Sequence, residues 1–87
     1  MYSVEWSSVG ENQLASVWLT APDRAAVSRS AANIDHRLER HPLFMGESRS
    51  SSVERVVFEA PLAIEYTVIE DDKKVIVQSV WWWESRG

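Results

Sequence analysis

Eighty-seven residues, 25% of them charged and 45% hydrophobic, with a net charge of −4, narrow what this chain can be. That length supports one core and hence a single domain, residues 1–87. The acidic balance opposes non-specific adhesion to nucleic acid, and the lack of cysteine removes disulfides and thiolate chemistry. No apolar run approaches the ~20 residues of a membrane helix. The N-terminus lacks a basic stretch followed by an apolar one, so no signal peptide is expected and the expected location is cytoplasmic.

Tyr2, Val4 and Trp6 alternate with Ser3, Glu5 and Ser7, the pattern of a half-buried strand. Ser8-Val9-Gly10-Glu11 has the spacing of a helix capping box, and a first helix then carries Leu14, Val17 and Trp18 on one stripe. Thr20-Ala21-Pro22-Asp23 repeats the start signal, with proline in the first turn. In the second helix Val27, Ala31, Ile34 and Leu38 fall at the 3.6-residue period, and His41-Pro42 ends it. Residues 41–52 are expected as one long connection, pinned by Leu43, Phe44 and Met45 and mobile from Gly46 to Ser52. Strands are expected at about 53–59, 62–69 and 74–83. The resulting fold class is α+β, in the order β-α-α-β-β-β. Its antiparallel sheet carries a two-helix hairpin on one face, since two helices are too few to cover both.

Register follows from which residues must be buried. An odd-length connection at Glu59-Ala60-Pro61 puts Val56 and Phe58 on the core face with Leu62, Ile64, Tyr66 and Val68. Arg55 then lies across from Glu65 on the other face. A two-residue tip at Asp71-Asp72 pairs Glu70 with Lys73, sets Val68 against Val75 and Tyr66 against Val77, and carries Trp81 and Trp83 to the core. Trp82 lands on the open face with Arg55, Glu65, Thr67 and Gln78. An indole there is costly to leave in water and is a preferred interface anchor, so these five residues form the expected partner-binding surface. Glu84 to Gly87 are expected as a frayed end.

The histidines at 36 and 41 are not spaced to meet on a helix face, no third ligand stands nearby, and no metal site is expected. The arginines of the second helix alternate with Asp35 and Glu39, as on a solvated face. No cofactor-binding fingerprint is present, and no cofactor is expected.

Trp18-Leu19-Thr20-Ala21-Pro22-Asp23-Arg24, then Ile34-Asp35-His36-Arg37-Leu38, His41-Pro42, Gly46-Glu47-Ser48-Arg49, Arg55-Val56-Val57-Phe58 and Pro61-Leu62-Ala63-Ile64 follow one another in an order that resembles the RelE/ParE superfamily of bacterial type II toxins. The resemblance spans nearly the whole chain. It implies the toxin component of a toxin–antitoxin system, of the kind also linked to plasmid stabilisation, neutralised by a cognate antitoxin. The implied targets are ribosome-bound mRNA, which is cut, or gyrase, which is bound. In the ribonuclease branch, cations on the open sheet face stabilise charge on the phosphate while another group activates the ribose 2′-OH. Arg55 and Arg49 are the catalytic candidates at matching positions. The chain departs from that branch at Ala63-Ile64-Glu65-Tyr66, where relatives commonly show Arg-x-x-Tyr, and at Trp81-Trp82-Trp83, where they often carry cations. This leaves open whether the chain is an mRNA endoribonuclease at all. The alternatives are a catalytically silent binding module and a homodimer formed through the open sheet face.

Overall fold

The computed structural model describes residues 1–43, 47–51 and 54–83, with the backbone alone for 47–51. Along the chain run β1 (Ser3–Trp6), α1 (Ser8–Thr20), α2 (Arg24–Arg40), β2 (Glu47–Ser51), β3 (Glu54–Glu59), β4 (Leu62–Ile69) and β5 (Lys74–Trp82). The five strands make one sheet in the order β1-β5-β4-β3-β2, with β1 parallel to β5 and the other pairs antiparallel. The α+β class and the β-α-α-β-β-β order hold. The parallel β1 makes the sheet mixed, and β2 is a further strand within what the sequence suggests is a mobile loop. Its serine-rich run offers no apolar alternation, so only its pairing with β3 reveals it. Phe44, Met45, Gly46, Ser52, Val53 and the four C-terminal residues lie outside the described residues.

Both helix starts fall at residues other than those expected. Ser7, not Ser8, caps α1: its extended backbone (φ −62, ψ 161) lets its hydroxyl accept from the Gly10 N–H at 3.0 Å. Ser7 is held extended because its own N–H continues the parallel ladder, donating to the Val77 carbonyl at 2.9 Å. At α2 the cap is Asp23, which accepts from the Ala26 N–H at 3.1 Å, with Pro22 outside the helix. Thr20 instead donates back to the Ser16 carbonyl of its own helix. The C-terminal end of α2 matches expectation, with the His41 N–H closing onto the Arg37 carbonyl just before Pro42.

Val27, Ile34 and Leu38 of α2 are buried against Val57, Leu62, Ile64, Tyr66, Val68, Val75, Val77 and Val80 of the sheet, with Leu14 and Val17 of α1 at the margin. Eight strand positions thus share the helix-covered face, and Val57 is among them where Val56 and Phe58 are expected. The cause is loop parity. β3 and β4 are joined by two residues, Ala60 and the cis-linked Pro61, with Glu59 opposite Leu62. Val57 therefore stands opposite Ile64 and Phe58 opposite Ala63, one residue from the expected register, and every side chain of β3 changes face.

α1 rides directly on the outer edge of β5. β1 pairs with β5 only as far as Trp6 opposite Val77, beyond which the backbone of β5 needs other partners. The Ser7 hydroxyl donates to the Gln78 carbonyl at 3.3 Å, and the Val80 N–H donates to Gln13 Oε1 at 2.7 Å. Such close approach favours glycine: a Cβ on Gly10 would lie 3.0 Å from the Val77 oxygen.

Candidate functional site: the open sheet face

The β4–β5 hairpin begins as the sequence indicates. The Lys73 N–H donates to the Glu70 carbonyl, Val68 stands opposite Val75 and Tyr66 opposite Val77. The ladder then shifts, with Glu65 opposite Ser79 and Gln78 left over as the extra residue of a β-bulge. Beyond Gln78 the alternation of β5 is inverted. Val80 joins Ile64 and Trp82 joins Leu62 on the helix side, while Trp81 stands opposite Ala63 on the open side.

The expected distribution of the indoles is therefore reversed. Trp82 does not lie on the open face. It borders recesses beside the end of α1, with Val17, Ala21 and Pro22. Trp81 and Trp83 take the open side instead, Trp83 ring to ring with Phe58 at 5.0 Å between centroids and with its N–H on the Pro61 carbonyl. Phe58 and Trp81 are 41% and 37% exposed, and Ala63 is buried between them in the same cross-strand row. The signal missed in the sequence is Gln78-Ser79: two polar residues in succession between Val77 and Val80 break the period of two.

Arg55 is also on the face opposite to the one expected. Its register partner is Tyr66, not Glu65, so it sits on the helix side. The buried Tyr66 hydroxyl donates to the Pro42 carbonyl at 2.7 Å. Burial raises the pKa of this phenol, and the Arg55 guanidinium, which hydrogen-bonds it, opposes the rise. On the same side Arg37 bridges to Glu59 at 2.8 Å. Glu65 and Thr67 do share the open face, in rows with Val56 and Ser79 and with Glu54 and Ile76. Gln78, at the bulge, is exposed. Lys74 on this face is paired with Glu5 at 3.2 Å. Arg49 falls in β2 at the irregularity between Ser48 and Ser51, and its side chain is outside the description. The structure brings together Glu65, Thr67 and an aromatic cluster of Phe58, Trp81 and Trp83. It separates Arg55 and Trp82 from them.

A second apolar feature lies between the helices. A cleft of about 620 Å³ is lined by Leu14, Ala15, Trp18 and Leu19 of α1 and by Val27 and Ala31 of α2. Trp18, expected on the core stripe, is 39% exposed there, with the Arg24 guanidinium 4.6 Å from its ring centroid. His36 and His41 are exposed, and among the described residues no three acidic or histidine side chains gather as a metal site. No described helix is long and apolar enough to cross a membrane.

No protein-family model matches the sequence, and no curated protein matches it significantly. Solved structures do match. A chain of the toxin–antitoxin complex RelBE2 from Mycobacterium tuberculosis superposes with a TM-score of 0.74 at 14% identity, over 93% of this chain and 90% of that one. The isolated E. coli RelE toxin gives 0.70 at 15% identity, over 99% and 88%. A chain of the chromosomal ParDE system of P. aeruginosa gives 0.64 at 12%, over 97% and 98%. At such identities the shared property is the fold, and it is that of RelE and ParE toxins.

Proposed function

We propose that this chain is the toxin component of a bacterial toxin–antitoxin pair, acting in the cytoplasm by binding its target rather than by cutting RNA, and neutralised by a cognate antitoxin. The observation that carries the reading is the likeness of fold, over more than nine-tenths of the chain, to a free RelE toxin and to chains of two toxin–antitoxin systems. The choice of binding over cleavage rests on the open face. Phosphodiester cleavage needs cations around the scissile phosphate and a group to activate the 2′-OH. The phenol of Tyr66 is buried and committed to the Pro42 carbonyl, and Arg55 is turned toward it. The open face offers Phe58, Trp81 and Trp83 beside Glu65 and Thr67, a surface suited to an apolar protein anchor rather than to phosphate. A protein target such as gyrase fits this reading.

Expression of the chain in bacteria, with and without the short reading frame adjacent to its gene, tests both halves. Growth arrest relieved by the neighbour is the expected result, with arrest lost in Phe58→Ser/Trp81→Ser and kept in Arg55→Ala and Arg49→Ala. A chain harmless by itself and without affinity for the neighbouring product overturns the toxin reading. Ribosome-dependent mRNA cleavage lost in Arg49→Ala or Arg55→Ala overturns the binding mode and restores the endoribonuclease.

A further inference from the structure

α1 carries two apolar stripes where a surface helix needs one. Gly10, Leu14 and Val17 face the sheet and the core, continued by Ala21 just past the helix end, with Leu14 also bordering the cleft. Glu11, Ala15, Trp18 and Leu19, at i, i+4, i+7 and i+8, face the cleft shared with α2. Glu11 is the one charged residue of the helix, and Leu19 is 61% exposed. A helix apolar on both sides is ordinarily covered on both.

Charge indicates what covers the outer stripe. One end of it is negative, at Glu11. The other end is positive, because the Arg24 guanidinium stacks on Trp18 and is held there by donating to the Leu19 carbonyl at 3.2 Å. Glu11 and Trp18 are two turns apart, about 10 Å along the axis, with the small Ala15 near the midpoint. A stripe negative at one end, positive at the other and small in the middle is complementary to itself when turned end for end. That is the requirement of a two-fold interface, in which residue i meets j and j meets i.

We propose that the cleft between α1 and α2 docks a second copy of this chain. The two α1 helices run antiparallel, each Glu11 meets the Arg24 that caps the other copy's Trp18, and the Leu19 and Trp18 of each enter the other's cleft. Ala15 at the axis allows the interhelical approach of about 8–10 Å seen in packed helices. This interface is separate from the open sheet face and independent of the toxin reading.

Sedimentation velocity on the purified full chain, from about 1 µM to 1 mM, tests it. A concentration-dependent dimer is expected. Glu11→Arg and Arg24→Glu should each weaken it by about tenfold or more, since each reversal sets like charges together at two symmetric points. The double reversal should restore it, an outcome that damage to folding cannot produce. Leu19→Asp should give a monomer with unchanged circular dichroism, and Phe58→Ser should leave the dimer intact. A chain that stays monomeric throughout, a double reversal that does not restore association, or a dimer lost in Phe58→Ser but kept in Leu19→Asp would each overturn the proposal.

Discussion

The two faces of the sheet are built from the same strands but use their large side chains in different ways. On the helix side Leu62, Ile64, Tyr66, Val75 and Val77 are fully buried under α1 and α2. On the other side Phe58 and Trp81 keep more than a third of their surface in contact with solvent, with no described helix above them. The difference turns on one residue. Because Gln78 is inserted in β5, a strand that gives Val75 and Val77 to the core also gives it Val80, while its neighbour Trp81 goes to the opposite side. A bulge here determines which aromatic groups are available to a partner.

The largest effect should come from disturbing that phase. Inserting one alanine between Ser79 and Val80 would carry Val80 and Trp82 to the open face and bring Trp81 inward. The loss should exceed that of a typical single core truncation, more than about 3 kcal/mol by urea unfolding. Deleting Gln78 should be far milder, because the pairs Tyr66–Val77 and Glu65–Ser79 then follow one another without changing face. If the deletion is as damaging as the insertion, the bulge is not what sets the phase.

Next in size is the contrast between the faces themselves. Ile64→Ala, at a site with no exposed surface, should cost about 2–5 kcal/mol. Phe58→Ala should cost about 1 kcal/mol or less, since much of its ring is already in water. Equal losses in denaturant melts would mean that something covers the open side in the free protein.

Where the sequence was sufficient, and where it failed, follows from how far each feature depends on local chemistry. The α2 stripe of Val27, Ala31, Ile34 and Leu38 is periodic over about three turns, and the structure buries Val27, Ile34 and Leu38 and half-buries Ala31. The Glu70–Lys73 turn is local, and it forms as the charges suggest. Faces of strands are different, because one residue of slip inverts them. The two-residue link at Ala60–Pro61 and the extra Gln78 each produce such an inversion, which puts Val56, Phe58, Trp81, Trp82 and Trp83 on the faces opposite to those the pattern implies and sets Arg55 across from Tyr66 rather than Glu65. The caps shifted for a related reason: Ser7 is recruited to the β1 ladder, a tertiary pairing with Val77 that no capping pattern contains. The cleft between the helices is not legible from the core stripe alone, because Trp18 fits that stripe by spacing and yet lines the cleft. The cue was present in α1, which has a second stripe and one charge.

A smaller test bears on how α1 covers the edge of β5. Alanine at position 10 improves helix propensity by about 1 kcal/mol, but its Cβ would press on the Val77 carbonyl oxygen, a backbone atom that cannot swing away. Overpacking of this kind costs about 1–3 kcal/mol. Gly10→Ala should therefore lower stability by about 1 kcal/mol net, and hydrogen exchange at Val80, whose N–H is held by Gln13, should speed up with it. A stabilised variant would mean that α1 lifts off the strand freely.

The smallest effect lies at alkaline pH. The raised pKa of Tyr66 comes first from burial, so the folded state favours the neutral phenol more than the unfolded chain does. That preference is fully present below the unfolded tyrosine pKa, about 10, and is lost as pH rises through the higher folded value. Tyr2, whose hydroxyl bonds Glu70, and Lys73, which pairs with the same carboxylate, are shifted in the same direction and lose their contributions over the same range. Glu70 itself is lowered, chiefly by the Tyr2 hydroxyl, so its contribution holds above the ordinary carboxylate range and falls away in acid. Thermal melts of Tyr66→Phe from about pH 8 to 11 should start lower, because the Pro42 carbonyl loses its donor. They should then decline less steeply than wild type above about pH 10, with the residual slope belonging to Tyr2 and Lys73. Parallel slopes in the two proteins would show that the phenol beneath Arg55 is not what the base attacks, and that the helix side of the sheet opens no sooner than the hairpin tip.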